Sequence, residues 1–459
     1  MTAPLKTLEE TRRLSAFDAV AVILGVVIGS GIFGLPSLVA ANSLCPVSML
    51  ALWVAGGAIS LMGALCYAEL ATAYPNKGGD YHFLRRAYGP EVGFLFVWGR
   101  MTVIQTGAIA AAALIAGNYF TQVYSMGQHS AEIYAALIVA ALTFLNLLGL
   151  RFTKWTQNVL VSAIALGLLA VISAGFWLGL TAAPEETVRL AESAPKDAST
   201  LLGMTGLALV FVLFTYGGWN EAAYLSAEIE NPRRNISKVL ILGIGIVTGI
   251  YLLINLALLA GLGQEGMADS NAVAADLLRK VWGEAGAVFI SLLVVVAVLS
   301  TVNASILTGG RSNFALGRDY PRFFGFLGKW NGSQNVPVAA LVLQAVITLG
   351  IIGLAPLVFE EGGLQAMVAY TAPMFWLFFF LAGMSVWVLR SVDPSRDRPF
   401  RVPFYPLTPI IFCGVCLYML YSAVAYAGAG SLVGVAVVLA GVPFLVLNRL
   451  YGSTESPQS

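Results

Sequence analysis

The sequence predicts an all-α membrane protein with twelve transmembrane helices, two of which are interrupted near their middle. The chain of 459 residues is 58% hydrophobic and only 11% charged. Its mean hydropathy of +0.82 is far above that of soluble domains. Apolar runs of about 20 residues, each able to cross roughly 30 Å of hydrocarbon, recur along the whole chain. Two of these runs contain clusters of glycine and hydroxyl residues.

The predicted spans are joined by short loops. Residues 1–17 and 449–459 are polar termini, and no cleavable signal peptide is expected. The segment NAVAADLLRK (271–280), in the loop before span 8, could form a short helix lying over the binding site described below. The twelve spans are 18–41, 48–71, 90–118, 132–149, 155–180, 203–228, 238–262, 285–315, 337–355, 366–389, 407–426 and 430–448.

Lysine and arginine residues are unevenly distributed between the two sides of the predicted membrane. With the N-terminus inside, the inner segments hold 20 of the 25, the outer segments hold four, and Arg100 lies within span 3. Cytoplasmic loops are enriched in these residues. Both termini are therefore predicted to be cytoplasmic. Paired charges in the inner loop NKGGDYHFLRRAYG (76–89) could form ion pairs that break when the inner side opens.

Two spans contain sequences that interrupt a helix. Span 1 has Gly-Ser-Gly at 29–31, and span 6 has Thr-Tyr-Gly-Gly at 215–218. A backbone group without a partner in hydrocarbon costs several kcal/mol, so a break is expected only where the freed groups hold something. Two breaks in corresponding positions predict a midplane binding site in a secondary transporter. The second break lies five spans after the first, and an odd number of spans inverts the second copy relative to the first. The sequence therefore predicts two inverted repeats, 18–180 and 203–389, followed by spans 11 and 12 at 407–448.

Backbone atoms at the two breaks suit the two charges of a zwitterion. The half-helix that begins near Gly31 presents free amides, which suit a carboxylate. The half-helices that end before each break present free carbonyls, those of Phe214 and Thr215 among them, which suit an ammonium group. Alternatively, the glycines only permit close helix packing. The predicted substrate-binding residues at the breaks are Ile28, Gly29, Ser30, Gly31, Phe214, Thr215 and Gly217.

Four motifs together resemble the amino acid–polyamine–organocation (APC) superfamily, and most closely its L-type amino acid transporter branch. The resemblance covers about residues 15–450. It implies a LeuT-like fold with a five-plus-five inverted repeat, alternating access, an amino acid substrate and no enzymatic activity. The motifs are VIGSGIF (27–33), CYAELATAYPNKGGDYHFLRRAYG (66–89), FTYGGWNEAAYLSAEIENPRRNI (214–236) and NASILTGGRSNFALGRDYPRFF (303–324), joined by RPFRVPFYP (398–406).

The resemblance also implies roles for individual residues. Phe214 corresponds to an aromatic gate over the substrate. The pocket walls correspond to Ile104 and Ala108 in span 3 and to Phe375 and Trp376 in span 10. All of these walls are uncharged, which favours a neutral, apolar substrate side chain.

Three polar residues are expected to support the site. Asn220 can link the unwound segment to neighbouring helices. A facing Glu221 would favour the alternative function, a polyamine or cationic amino acid carrier. Arg100 is roughly 15–18 Å into span 3, and Glu69 and Glu221 are its candidate partners, because intramembrane charges are usually paired or functional. A membrane receptor that binds without transport is a less favoured alternative.

The sequence departs from the family pattern at two places. Ile164 occupies the position where many relatives have a Lys in span 5, whereas Ser300 and Thr301 could offer hydroxyl oxygens to Na⁺. Coupling to H⁺, coupling to Na⁺ and ion-independent exchange are all compatible with this pattern. The loop 121–132 has no Cys, so no disulfide-linked heavy chain is expected. We expect a stand-alone transporter in the plasma (inner) membrane, with no cofactor, metal or nucleic acid.

Overall fold

A computed structural model describes residues 15–76, 78–149, 154–181, 198–220, 231–332, 336–358, 363–426 and 429–451. Within these ranges the chain is almost entirely helical, and the β-type pairing among them is an isolated bridge between Asn331 and Val336.

The helices follow one another with short connections. In chain order they are α1 (Ala16–Val27), α2 (Gly31–Gly34), α3 (Pro36–Ala41), α4 (Pro46–Ala73), α5 (Asp80–Tyr88), α6 (Pro90–Gly99), a π-helical segment (Arg100–Ile104), α7 (Gln105–Thr121), α8 (Ser130–Leu147), α9 (Lys154–Thr181), α10 (Ala198–Thr215), α11 (Pro232–Ala268), α12 (Val273–Asp319), α13 (Pro321–Phe324), α14 (Val338–Val358), α15 (Gly363–Val392), α16 (Leu407–Tyr426), α17 (Ala429–Leu439) and α18 (Val442–Tyr451).

The helices supply twelve crossing segments. Eight are long and apolar enough to cross a membrane by length and composition. Three shorter apolar segments lie at Leu201–Thr215, Val338–Leu354 and Ser431–Leu447. The interrupted first span, α1 to α3, is the twelfth. The twelve predicted spans are thus all represented among the described residues.

Two glycines separate loop helices from membrane spans. The backbone leaves the helical path at Gly263 (φ +71°) and at Gly283 (φ +65°), a conformation that costs glycine nothing sterically. The predicted short helix before span 8 is present and begins at Val273. Its Leu277 and Leu278 are fully buried, so it packs onto the bundle rather than extending into solvent.

Close contact between spans 3 and 10 brings together two walls of the central cavity. A Cβ atom at Gly107 would lie only 2.1 Å from the Thr371 methyl carbon. The Tyr370 hydroxyl donates to the Thr102 carbonyl across the same contact, at 2.9 Å. Small residues allow helix backbones to approach in this way, and here they fix the distance between the spans.

The buried carboxylate of Glu69 joins three segments at the end of the bundle where α5 lies. It accepts two hydrogen bonds from Arg390, at 2.7 and 2.6 Å, and one from the Val402 amide, at 2.7 Å. Arg398 lies 3.7 Å from the same carboxylate. Glu69 therefore faces span 10 and the loop before α16, so the expectation that it could pair with Arg100 is wrong.

The short helix α5 is tied to the ends of spans 8 and 10. Arg85 lies 3.4 Å from Asp319, and Arg86 lies 3.2 Å from Asp393. The Tyr81 hydroxyl donates to Asp319 at 2.5 Å. Burial and this hydrogen bond raise the pKa of Tyr81 above its ordinary value, so the phenol remains a donor at neutral pH. Both arginines are almost half exposed, and exposed pairs contribute at most about 1 kcal/mol each.

Replacing Glu69 by Gln is expected to destabilise the fold. The change removes the charge that compensates Arg390, and loss of one partner of a buried pair costs about 3–5 kcal/mol. Thermal unfolding of the detergent-solubilised protein should show a clearly lower midpoint. Glu91→Gln, at an exposed position in the first turn of α6, is the control and should change the midpoint little. Equal midpoints for the two variants would contradict the assigned role of Glu69.

Candidate functional site

The first span breaks where the sequence predicts. Helix α1 ends at Val27 and α2 begins at Gly31, so three residues between them leave the helix. The amide of Ile28 still donates to the carbonyl four residues earlier. In contrast, the amides of Gly29, Gly31 and Ile32 donate to no backbone carbonyl of the described residues. Three donors are thus available within four consecutive residues, as anion binding requires.

The second span also breaks where predicted, but its carbonyls are not free. Helix α10 ends at Thr215, and Gly218 has a φ of +104°. The Phe214 carbonyl accepts from the Gly217 amide, and the Thr215 carbonyl accepts from the Tyr251 hydroxyl, each at 3.1 Å. The expectation of free carbonyls is wrong because the turn closes on itself and a neighbouring span supplies a donor. Each oxygen keeps one lone pair for a further bond.

Tyr251, in span 7, connects the two breaks. Its hydroxyl oxygen is 2.9 Å from the Val27 carbonyl and 3.1 Å from the Thr215 carbonyl, the last carbonyls of α1 and α10. A phenol has a single proton, so the two carbonyls share it. The fully buried ring packs against Trp53 and Tyr216, with centroid distances of 5.5 and 5.0 Å. Tyr251 was not predicted from the sequence, because one tyrosine in an apolar span resembles any core residue.

The two breaks also touch each other directly. A Cβ atom at Gly31 would lie 3.1 Å from Thr215 Cα and 3.3 Å from its methyl carbon. Gly29 is less crowded, since its Cβ would lie 3.6 Å from Thr301 Oγ1 of span 8. Gly31 therefore permits the contact between the breaks, and Gly29 faces span 8.

A cavity of about 240 Å³ lies beside the breaks and collects most of the predicted site residues. Those that line it are Gly29, Ser30, Gly31, Arg100, Ile104, Ala108, Phe214, Thr215, Gly217, Asn220, Thr301 and Phe375. The lining residues that were not predicted as site residues from the sequence are Val27, Asp80, Phe96, Gln105, Ala112, Ile115, Gly218, Ser305, Thr371, Phe378 and Phe379.

Three predicted residues do not line the cavity, and one cannot be placed. Ile28 packs into the core next to the break. Trp376 is buried against Phe375, which takes the cavity position in its place. Ser300 precedes the lining residue Thr301, and consecutive helix residues point about 100° apart. Glu221, with the rest of 221–230, lies outside the described residues.

The cavity wall is mainly aromatic and aliphatic, with a few polar groups. The Gln105 side chain donates to the Ser305 carbonyl at 3.0 Å and so joins spans 3 and 8. Arg100 and Asp80 are the charged residues of the lining, and Asp80 belongs to α5. Among the described residues, no group of three or more His, Cys, Asp or Glu side chains could hold a metal ion. The site suits a small zwitterion with an apolar side chain.

The end of the bundle opposite α5 is covered by the short helix before span 8. The Tyr119 hydroxyl donates to the Phe33 carbonyl at 2.9 Å and accepts from the Ala274 amide at 3.2 Å. Gln264 donates to the Ala40 carbonyl at 3.0 Å. These contacts hold the short helix and the loop before it against the second half of span 1, whereas the cavity extends towards α5.

The variant Gly31→Val is expected to abolish amino acid binding while the protein still inserts and folds. Its side chain would displace Thr215 and fill the space beside the free amides. Gly25→Ala is the matched control in the same span, because a Cβ there has no neighbour within 4 Å. Ligand-induced thermal stabilisation of the purified variants would measure binding. Wild-type stabilisation by the ligand in Gly31→Val would rule out the proposed carboxylate position.

The variant Tyr251→Phe is expected to weaken amino acid binding about fivefold, since one shared hydrogen bond contributes about 1 kcal/mol and fixes two carbonyls. Tyr418→Phe removes a comparable hydroxyl–carbonyl bond, 2.8 Å to Leu202, and serves as the control. Competition against a radiolabelled substrate would give both affinities. If the two variants lose affinity equally, the loss reflects general destabilisation, and Tyr251 has no particular role in the site.

Comparisons with known proteins cover nearly the whole chain. The sequence model of the amino acid permease family matches residues 14–446. The b(0,+)-type amino acid transporter 1 of Mus musculus is 28% identical over 452 residues, covering 97% of this chain and 90% of the relative. The large neutral amino acids transporter small subunit 2 of Homo sapiens is 27% identical over 456 residues, covering 95% and 80%.

A bacterial relative is similar over the same length. The serine/threonine exchanger SteT of Bacillus subtilis (strain 168) is 26% identical over 437 residues, covering 94% of this chain and 95% of the relative. These proteins are transporters, not enzymes, and their family has the twelve-helix LeuT fold. The two broken spans and the cavity between them lie within the matched residues. The chain therefore belongs to the amino acid permease family of the APC superfamily and is a multi-pass membrane transporter of amino acids.

Proposed function

We propose that the protein exchanges amino acids with uncharged, mainly apolar side chains across the plasma membrane by alternating access. The observation that supports this proposal most directly is the cavity beside two broken spans, where apolar walls meet backbone amides that have no backbone acceptor among the described residues.

The substrate carboxylate would bind at the first break. The amides of Gly29, Gly31 and Ile32 are available as donors, and Ser30 adds a hydroxyl. Oriented backbone donors at a helix start favour an anion without a charged side chain. Because these donors belong to the backbone, they would recognise any α-amino acid.

The substrate ammonium group would bind at the carbonyl ends of α1 and α10. The Thr215 carbonyl already accepts from Tyr251 and retains one lone pair. The Ile28 carbonyl receives no bond from a backbone amide of the described residues. A single bound zwitterion would then contact both breaks at once, which couples its presence to their relative position.

The substrate side chain would lie against spans 3 and 10. Ile104, Ala108 and Ala112 form one wall, and Phe375 forms the other. The small alanines leave room for a branched or linear aliphatic chain, whereas the rings favour apolar contact. Phe214 lines the same space at the second break, where an aromatic ring could close over the ligand.

Alternating access would open the two ends in turn. At one end, the weak pairs from Arg85 to Asp319 and from Arg86 to Asp393 hold α5. At the other, the Tyr119 hydroxyl holds the short helix before span 8 on span 1. Weak, partly exposed contacts such as those at the α5 end are what a reversible gate needs.

Exchange without an ion is the favoured mode. Ile164 occupies the span 5 position at which the family resemblance implies a Lys in many members, and it packs among apolar neighbours. SteT is named an exchanger. Thr301 lines the cavity near Gly29, so Na⁺ coupling is the alternative that the transport assay must test.

The excess of Lys and Arg on the α5 side supports an orientation with both termini in the cytoplasm. The loop between α7 and α8 contains no Cys, which supports a transporter without a disulfide-linked partner.

A second candidate is a carrier of cationic amino acids or polyamines. Asp80 favours it, because its buried carboxylate lines the cavity on the α5 side. This candidate requires that the cationic side chain of a substrate bound at the breaks extend far enough to meet the Asp80 carboxylate.

Uptake of radiolabelled leucine into proteoliposomes tests the proposal. We expect uptake to rise at least tenfold with internal leucine and not to respond to imposed Na⁺ or H⁺ gradients. Gly31→Val proteoliposomes supply the background. Stimulation by one gradient alone would replace exchange by ion coupling. Absence of leucine movement, with uptake of lysine or putrescine, would support the second candidate and overturn the first.

A further inference from the structure

We propose that Thr301, Ser305 and Gln105 form a polar strip that binds the carboxamide of a substrate side chain, so that glutamine is a substrate beside the apolar amino acids. This inference rests on the proposed function, since it names a further substrate class for the same cavity. It is carried by three side-chain oxygen atoms of lining residues, which form no hydrogen bond among the described residues.

The Gln105 side chain is held in one orientation by span 8. Its amide nitrogen donates to the Ser305 carbonyl at 3.0 Å. Gly309 leaves room for the chain, because a Cβ there would lie 2.7 Å from Gln105 Cγ. A carbonyl only accepts hydrogen bonds, so the NH₂ group must be the one that faces it. The Gln105 Oε1 atom has no donor within the described part of the chain and is an available acceptor.

The hydroxyls of Thr301 and Ser305 differ from other hydroxyls of the cavity lining. Helix hydroxyls commonly bond back to a carbonyl of their own helix. Thr215 and Thr371 do so, each at 3.0 Å to the carbonyl four residues earlier. Thr301 and Ser305 line the cavity and make no such bond to the residues that the structure describes. Their hydroxyls therefore keep donor and acceptor capacity for a ligand.

The polar strip runs from the first break towards the α5 end of the cavity. The Thr301 Oγ1 atom lies 3.6 Å from the Cβ position of Gly29, beside the proposed carboxylate site. Ser305 is one helical turn, roughly 6 Å, farther along span 8. Gln105 meets Ser305 from span 3, which also forms one apolar wall. A substrate side chain can therefore lie on the apolar wall while its end contacts the strip.

A primary carboxamide matches the strip better than other polar groups do. Its NH₂ group can donate to the Gln105 oxygen while its carbonyl accepts from the Ser305 hydroxyl. An ammonium group offers donors only, and a carboxylate offers acceptors only. The side chain of serine is too short to reach both partners. Glutamine has two methylene groups before its amide, which suits the distance of one helical turn from Thr301 to Ser305.

Glutamine and homoleucine form a matched pair of ligands for the test, because homoleucine has two methyl groups in place of the amide oxygen and nitrogen. Both ligands have the same α-amino acid group, so damage at the breaks would weaken their binding equally. Ligand-induced thermal stabilisation of the purified protein would give the two affinities. Competition against radiolabelled leucine in proteoliposomes would give the same ratio during transport.

Two variants remove the two ends of the strip separately. Gln105→Met keeps the length of the side chain and removes its amide, whereas Ser305→Ala removes a hydroxyl and leaves the bond from Gln105 to the backbone in place. Thr106→Val is the matched control. Thr106 is the buried neighbour of Gln105, donates to the Thr102 carbonyl of its own helix at 2.8 Å and does not line the cavity.

Wild type is expected to bind glutamine at least as tightly as homoleucine. Gln105→Met and Ser305→Ala should each shift the ratio about tenfold towards homoleucine, because the carboxamide then stays buried without one of its partners. Thr106→Val should leave the ratio unchanged.

Preference of wild type for homoleucine, an unchanged ratio in either strip variant, or an equal shift in Thr106→Val would each overturn the proposal. Binding of leucine and homoleucine without binding of glutamine would overturn the polar strip alone. If none of the three amino acids binds, the proposed function fails as well, so the two failures are distinguishable.

Discussion

Backbone groups inside a membrane need hydrogen-bond partners, and two spans of this protein lose some of these partners where the helix is interrupted. The rest of the structure depends on these two places. At the first break three amides have no backbone acceptor among the described residues. At the second, a turn and a tyrosine take up the terminal carbonyls. The cost of such groups in hydrocarbon is several kcal/mol each. A zwitterion bound as proposed would contact both breaks, and its binding would then be coupled to the geometry of the two spans.

Tyr251 fixes the relative position of the helix ends at the two breaks. Helices α1, α2 and α10 begin or end at the two breaks, and nothing in their own backbones fixes their relative position. One buried hydroxyl, shared by the Val27 and Thr215 carbonyls, links the ends of α1 and α10. On the other side of the second break, Trp219 packs against Tyr67 and Phe379, with centroid distances of 5.2 and 4.8 Å. The chain on both sides of the second break is therefore held in place by contacts from spans 2, 7 and 10.

The strength of the contacts differs between the parts that hold the fold and the parts that must move. The buried Glu69 carboxylate receives three short hydrogen bonds and fixes spans 2 and 10 to the loop before α16. The pairs that hold α5 are partly exposed and individually weak. At the opposite end, the short helix is held by one hydrogen bond to Tyr119, by one from Arg279 to Gln122 and by its buried leucines, so the weak contacts are those of α5. A transporter needs this division, because its gates open while its scaffold stays folded.

The sequence by itself determined the twelve spans, both breaks and the short helix that begins at Val273, because hydropathy and glycine clusters act locally along the chain. Only the tertiary structure showed that Glu69 pairs with Arg390, since residues 321 positions apart meet through folding alone. It also decided that Tyr251 binds the breaks and that Phe375, not Trp376, lines the cavity. Only the tertiary structure showed that Arg100 lines the same cavity as Asp80 of α5, because the hydropathy pattern does not determine which face of a span meets which neighbouring helix.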